Sequence, residues 1–340
     1  MKNYTKKTIA IFFIFVTMFL FKIPVYAEST VGKNVLILNS YGDENNITFG
    51  YESRDWTTEI ISSINSEFVN SKKNITVKMQ YMDSNDNFGD EHWQQLYNLY
   101  KDTYKNTKFD VVITLDDNAF KFLQQYGDEL FPNTPVVFSG VNNFNKSMIS
   151  EHPLFTGLAK SPDIQSTIDI GLKLHPDTKQ VFVILDKTSN AVSYKKIIED
   201  LVPLYKDKVN FLFSDEENIT KVKEQTNNLP ENTIIYFNGI LKNDTGNYIP
   251  IEQSADILFK DIDIPMYSNG YIQINKESVG GMITEGSDLG KEISKLALRI
   301  LDGEKVSNIP VTEDSAHKYE FDYNKLKQFN IDIKDLPKGS

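Results

Sequence analysis

The pattern of apolar and polar positions changes character at Lys33. From there, short apolar runs rich in β-branched residues and bounded by turn residues alternate with longer stretches of helical period, the signature of successive βαβ units. Strands are predicted at about 35–40 (VLILNS), 75–82 (ITVKMQYM), 110–115 (DVVITL) and 135–139 (PVVFS), with helices near 52–70, 91–105 and 117–128 between them. The nearly unbroken apolar character of the strands is what helices covering both faces of a parallel sheet require.

The second half repeats the plan, with strands at about 180–185 (QVFVIL), 209–213 (VNFLF), 233–237 (TIIYF) and 264–267 (IPMY) and helices near 190–205, 216–228 and 251–260. The punctuation repeats too: TPVVFSG at Thr134–Gly140 is echoed by DIPMYSNG at Asp263–Gly270, and Val35–Ser40 by Val181–Asp186. The expected fold class is therefore α/β, two doubly wound parallel-sheet lobes joined by a hinge. Residues 31–143 plus 287–305 are assigned to the first lobe, 160–275 to the second, and 306–340 to a carboxyl-terminal tail partly packed on both. Segment 144–180 runs between the lobes. After residue 275 comes Gly281-Met282-Ile283-Thr284-Glu285-Gly286 and then a strong helix from Ser287 to Leu301, capped by Ser287 or Asp288 and ended by Gly303. That helix has to return to the first lobe. The hinge is placed near 143–160 and 275–288, with Glu285 facing the cleft from the crossing strand.

The amino terminus follows a different pattern: a basic start through Lys7, an apolar run of about 13 residues from Ile9 to Phe21 broken only by Thr17, and Val25-Tyr26-Ala27 before Glu28. The run is shorter than the roughly 20 residues a membrane-spanning helix needs. Residues 1–27 are read as a cleaved export signal, so the mature chain is expected to start at Glu28 outside the cytoplasm. A retained anchor is the alternative. Without cysteine the chain has no disulfide and no thiol for a lipid, so a lipoprotein is not expected.

Charge narrows the partners. The 340 residues carry 36 Lys+Arg against 47 Asp+Glu, and loss of the first 27, with their four lysines and no acid, takes the formal charge from −11 to about −15. Nucleic acid is not expected as a partner on this ground, because phosphate binding needs clustered Lys and Arg. Nothing in the acidic surface suggests an obligate partner, and a monomer is expected.

Candidate chemistry sits at the carboxyl ends of the strands, where open parallel sheets bind ligands. These tips are polar: Ser40-Tyr41-Gly42, Asp116-Asp117-Asn118-Ala119, Gly140-Val141-Asn142-Asn143, Asp186-Lys187-Thr188-Ser189, Asn238-Gly239 and Ser268-Asn269-Gly270-Tyr271. Each also reads as a turn or helix cap, and Asp117 fits a cap and an amine ligand equally. Ser40, Tyr41, Asp116, Asp117, Asn118, Gly140, Asn142, Thr188, Ser189, Asn238, Asn269, Tyr271 and Glu285 are taken as the ligand-binding candidates, with Tyr41, Trp56, Tyr267 and Tyr271 as possible stacking surfaces.

Enzyme signatures are weak. His92, His152, His175 and His317 are far apart in the sequence, and no metal spacing, nucleophile elbow, dinucleotide loop or P-loop occurs. No catalytic residue, metal or cofactor is assigned. A hydrolase using Asp116, Asp117 or Glu285 is the competing class, and it lacks a positioned partner.

The runs Val35–Tyr41, Asp110–Ala119 and Phe131–Asn142 together resemble the ABC-transporter substrate-binding-protein family of the type I periplasmic-binding fold, from about residue 33 onward. The closest variant is similar to the extracytoplasmic sensor regions of bacterial histidine kinases and diguanylate cyclases, whose stretch before a second membrane helix resembles Phe321–Leu326 and Leu336–Ser340. The resemblance implies a small polar ligand, an amino acid or similar metabolite, held between two lobes. It also implies an ABC permease or a membrane signalling partner.

Overall fold

The computed structural model describes residues 32–42, 56–84, 89–159, 162–270, 277–312 and 317–340. The export signal expected at 1–27, its cleavage before Glu28, and Tyr271 lie outside the described residues. Lys33–Ser340 form one compact unit built on two sheets.

Strand β1 (Lys33–Asn39) shows why the apolar runs lie at the centre of a sheet. Its side chains alternate between two cores: Val35 and Ile37 face one, Leu36 and Leu38 the other, and all four are fully buried. The first sheet adds β2 (Ile75–Tyr81), β3 (Val111–Leu115), β4 (Val136–Ser139) and β5 (Phe155–Leu158) in the order β2-β1-β3-β4-β5, all parallel. Helices α1 (Trp56–Asn70), α2 (Asp90–Tyr104) and α3 (Asp116–Leu130) follow β1, β2 and β3.

The second sheet comprises β6 (Gln180–Leu185), β7 (Asn210–Phe213), β8 (Thr233–Asn238), β9 (Met266–Tyr267), β10 (Gly280–Ile283) and β11 (Lys318–Phe321). Its order, β7-β6-β8-β9-β10-β11, repeats the first sheet strand for strand and then adds β11 antiparallel at the edge. Helices α4 (Ile164–Leu174), α5 (Ser189–Leu201), α6 (Ile219–Asn227) and α7 (Ile251–Phe259) belong to this half, α8 (Gly286–Leu301) follows β10, and the short α9 (Tyr323–Gln328) follows β11. In β6, Val181, Val183 and Leu185 face one core and Phe182 and Ile184 the other.

Two differences from the sequence reading have a common physical cause. Residues 155–158, expected between the lobes, form the edge strand β5 of the first sheet; residues 280–283, expected in the hinge, form β10 of the second. Both strands carry glycines where a side chain has no room: a Cβ at Gly157 would meet Phe138 O at 2.1 Å, and one at Gly281 would meet Ser268 O at 1.9 Å. Close backbone approach therefore replaces the β-branched residues that mark a strand. The tail also contributes a strand, β11, so the second sheet is not wholly parallel, and Leu326 of α9 is buried in that sheet's core. Helix α4, within the stretch taken as a connection, is capped by Asp163 and buries Ile164, Ile168 and Ile170.

Helix α8 lies on the first sheet against α1, sharing a core in which Ile60, Ile64 and Phe68 meet Leu289, Ile293 and Leu296. The two backbones approach closely. A Cβ at Gly286 would sit 2.5 Å from Trp56 O, and one at Gly290 the same distance from Ile60 O. β5 and α4, β10 and α8, and Thr312 and β11 belong to different sheets, so the chain passes between the sheets three times.

Candidate functional site

In a doubly wound sheet the ligand crevice opens where the strand order reverses. Here the order reverses between β1 and β3 in the first sheet and between β6 and β8 in the second. At both points one side chain from the first strand's tip clamps its neighbour.

At the first point β3 runs into α3 without a loop, and the chain turns at Asp116 with φ +70°, a left-handed conformation that Asp tolerates better than most residues. Leu115 occupies the N-cap position and has no side chain able to cap. Ser40 does it from across the sheet: its buried Oγ accepts from Ala119 N at 2.8 Å and donates to Leu115 O at 2.7 Å. Ser84 N donates to Ser40 O at 2.9 Å, and Asn118 Nδ2 to Ser84 O at 3.3 Å, so the loop after β2 is tied in as well. Gly140, with φ +73°, leaves space for the Asp116 carboxylate, which a Cβ would meet at 2.6 Å.

Asp117 holds the next tip. Its Oδ1 accepts from Asn142 N at 3.2 Å and its Oδ2 from Asn142 Nδ2 at 2.7 Å. Burial pushes the Asp117 carboxyl above its ordinary value, and the Asn142 donors and the charge of Lys121 offset only part of that. Asn39 Oδ1 and Ser139 Oγ are buried at the same edge without a hydrogen-bond partner. They occupy one row of the sheet, on either side of Leu115.

The second switch point uses a carboxylate. Asp186 Oδ1 accepts from Thr188 N at 2.7 Å and Thr188 Oγ1 at 2.6 Å, while Oδ2 accepts from Ile240 N at 2.7 Å, beyond the end of β8. Burial raises the Asp186 carboxyl, against the pull of those donors. Thr188 also caps α5 through Ala191 N at 3.3 Å; Ser189 opens that helix, its side chain outside the described set. Asn238, half-buried, ends β8. Asn269 acts as a structural tie. Its Nδ2 donates to Asp163 O at 3.1 Å and Met282 O at 2.8 Å, and its Oδ1 accepts from Tyr236 Oη at 2.9 Å, which fastens the end of β9 to β8, β10 and the start of α4.

The crossings are cross-linked. Trp56 Nε1 donates to Thr284 O at 3.2 Å, Thr284 Oγ1 and His317 Nδ1 lie 2.6 Å apart, and Lys318 pairs with Glu285 at 2.5 Å and with Glu320 at 2.7 Å. Glu285 is thus engaged by the strand that enters the second sheet. Tyr267, considered a stacking surface, is a core residue instead, bonded through its hydroxyl to His175 Nε2 at 3.0 Å. Tyr41 is half-buried at the β1 tip. The structure therefore brings Ser40, Asp116, Asp117, Asn118, Gly140 and Asn142 together on one sheet edge, and Thr188 and Asn238 on the other. Asp186, Asn39 and Ser139, which also lie at these edges, were not among the ligand-binding candidates. For Asp186 a signal existed, since an acid directly after an apolar strand run occurs at Asp116 too.

Among the described residues no three His, Asp or Glu side chains converge as metal ligands would. A cavity of about 220 Å³ lined by residues that include Phe131, Glu151, His152 and Phe155 lies at the opposite edge of the first sheet, beside the starts of β4 and β5.

Two mainly parallel sheets with repeated order, three crossings and polar switch points define a two-lobed α/β fold of the type I periplasmic-binding-protein kind. The profile of the ABC transporter substrate binding protein family matches residues 60–336, and the chain belongs to that family. A solved structure from Streptococcus pneumonia, described as an ABC domain in complex with L-Trp, is 13% identical, covers 90% of this chain and 97% of its own, and has a TM-score of 0.64. The ligand-free, open substrate binding protein CD0873 of Clostridium difficile is 13% identical with the same coverages and a TM-score of 0.60. The glucose-galactose binding protein GanP of Geobacillus stearothermophilus is 12% identical, covers 85% of this chain and 97% of its own, and has a TM-score of 0.55. At these identities the likeness is one of fold. Comparison with curated proteins gives no match. Family and neighbours are binding proteins, and among the described residues no helix is long and apolar enough to cross a membrane.

Proposed function

We propose that this chain captures a small polar ligand, an amino acid or similar metabolite, between the facing edges of its two sheets outside the cytoplasm. It would pass the ligand to an ABC permease or report it to a membrane signalling partner, acting as a monomer and without covalent chemistry. The observation that carries this reading is the pair of clamped switch points, Ser40 on Leu115 and Ala119, and Asp186 on Ile240. They hold polar tips in place where the fold binds ligands. The L-Trp bound by the Streptococcus relative favours an amino acid, and the sugar named for the Geobacillus relative keeps the class open. A hydrolase using Asp117 is the competing reading; both Asp117 oxygens accept from Asn142, and among the described residues no histidine hydrogen-bonds to it.

Native mass spectrometry of the purified protein, followed by thermal denaturation with the compound identified, tests the reading. A ligand at 100 times its Kd should add about 2.7 kcal/mol and itself remain chemically unchanged. Conversion of the compound to product, or no stabilisation by any amino acid, sugar or carboxylate, would refute it.

A further inference from the structure

We propose that the cavity beside the starts of β4 and β5 is a second binding site, for a small organic cation: a protonated amine on an aryl or branched alkyl body, with no carboxylate. The proposal goes beyond the ligand-binding reading above and stands independently of it, because this cavity lies at the other end of α3 from the switch point. Gly127, in its wall, is eleven residues along the helix from Asp116, about 16 Å at the helical rise.

The first argument is that the space is built. Its volume of about 220 Å³ exceeds the roughly 150 Å³ that accepts benzene in an engineered core. The floor is apolar and buried, made by Leu123 of α3, Phe131 at its end, Val136 of β4 and Phe155 of β5. Gly127 opens it. Glycine inside a helix is destabilising relative to alanine, and elsewhere in the described helices a close neighbour accounts for it: a Cβ at Gly171, Gly286 or Gly290 would meet another element at 3.0 Å or less. At Gly127 a Cβ would meet only Leu123, one turn back on the same helix, at 3.4 Å, which is ordinary contact. The residue is buried, yet no facing element requires its missing side chain, so what the glycine provides is room.

The rim decides the class. Asp128 and Glu151 line the cavity with exposed carboxylates; among the described residues neither takes part in an ion pair, and no lysine or arginine lines the space. Helix α3 also ends here, with the negative end of its dipole and no basic residue in its last turn, where a cation is favoured. The His152 ring leans on Phe155 with 4.8 Å between ring centres and forms part of the wall. An anion entering would meet two carboxylates and the helix end, and a neutral body would fill the floor while leaving the rim unanswered. An ammonium carried on a ring or branched chain satisfies both, and the rings of Phe131 and Phe155 in the same wall favour a cation further.

Calorimetry and saturation-transfer NMR on the full, unaltered chain with phenethylamine, 2-phenylethanol, phenylacetate and isoamylamine read the class. The alcohol should bind at least about fivefold more weakly than phenethylamine, the contribution of two partly exposed carboxylates, and phenylacetate more weakly still. Asp128→Asn combined with Glu151→Gln should abolish the preference for the amine and leave the alcohol's affinity unchanged. Gly127→Ala puts a methyl group into the cavity and should weaken phenethylamine at least about fivefold without lowering the melting temperature. An alcohol or carboxylate binding as tightly as the amine would overturn the proposal, as would the absence of binding by either amine at millimolar concentration. Unchanged affinity in a folded Gly127→Ala would overturn it too, by showing that the probe sits elsewhere; if that variant does not fold, an amine preference that survives the paired charge variant overturns it instead. The ligand sought above between the sheets should bind Gly127→Ala and the unaltered protein alike, so the two readings fail separately.

Discussion

Ser40 follows β1 and Ser139 ends β4, two strands away on the same sheet edge, and their truncation to alanine should have unequal consequences. Ser40 Oγ is fully buried, donates to Leu115 O at 2.7 Å and accepts from Ala119 N at 2.8 Å. The Ala119 N–H is one of the first four of α3, which have no partner inside the helix. Ser40→Ala removes two hydrogen bonds worth about 1 kcal/mol each and leaves that N–H dry, so the loss should be about 2–3 kcal/mol. Ser139 Oγ has no partner to lose, and Ser139→Ala sheds a buried hydroxyl, which should change the stability of the ligand-free protein by no more than about 0.5 kcal/mol in either direction. Urea unfolding followed by circular dichroism measures both. In melting temperature the contrast should be a drop of about 3–5 °C against almost none. Equal costs for the two substitutions would refute the hydrogen-bond reasoning. A neutral Ser40→Ala that abolished ligand binding would show that Ser40 touches the ligand and does not cap the helix.

Three further outcomes are expected. Gly290→Ala should cost about 1–3 kcal/mol by calorimetry, since its Cβ would stand 2.5 Å from Ile60 O and 2.7 Å from Ser63 Cβ, where α1 cannot yield without moving backbone. Burial lowers the His175 pKa from 6.5 to about 4, so the native state binds fewer protons than the unfolded chain between those values; stability should fall as pH drops through that window, by up to roughly 3 kcal/mol, and His175→Gln should flatten the slope in urea titrations at pH 7 and 4.5. Lys325 and Glu277, each 15% exposed, form an ion pair that fastens α9 to the start of β10; Lys325→Met should cost about 1–3 kcal/mol in thermal unfolding, and adding Glu277→Gln should restore part of it.

Strands β1, β3, β6 and β8 were legible because each is an apolar run buried on both faces, a property that composition alone reveals. β5 and β10 were not, because Gly157, Gly280 and Gly281 answer to backbone contacts with residues far along the chain, and glycine there reads as loop. The polar strand tips were equally visible, and their partners were not. Ser40 works on a helix 79 residues later, Asn269 on a carbonyl 106 residues earlier, and no local pattern encodes such a partner. Tyr267 was misread for the same reason: a tyrosine near a tip looks like a stacking surface until His175 and the glycine at 171 are found against its ring.

The repeated strand order extends to the clamps, but with different chemistry at each. In the first sheet a hydroxyl both donates and accepts, so Ser40 satisfies a carbonyl and a helix N–H at once. In the second a carboxylate only accepts, so Asp186 gathers three donors and draws the β8 tip toward β6. Both leave the tips ordered before any ligand arrives, so binding does not have to supply the entropy of ordering them. Movement between the sheets then falls to the three crossings. Two of them, at 284–285 and between Thr312 and β11, are tied to each other through Thr284 with His317 and Glu285 with Lys318, and Trp56 ties the first to α1. A pair of strands so joined can bend together but not slide past one another. We propose that reorientation of the sheets is rotation about these crossings, the motion by which a ligand held at two fixed edges can favour one arrangement over another.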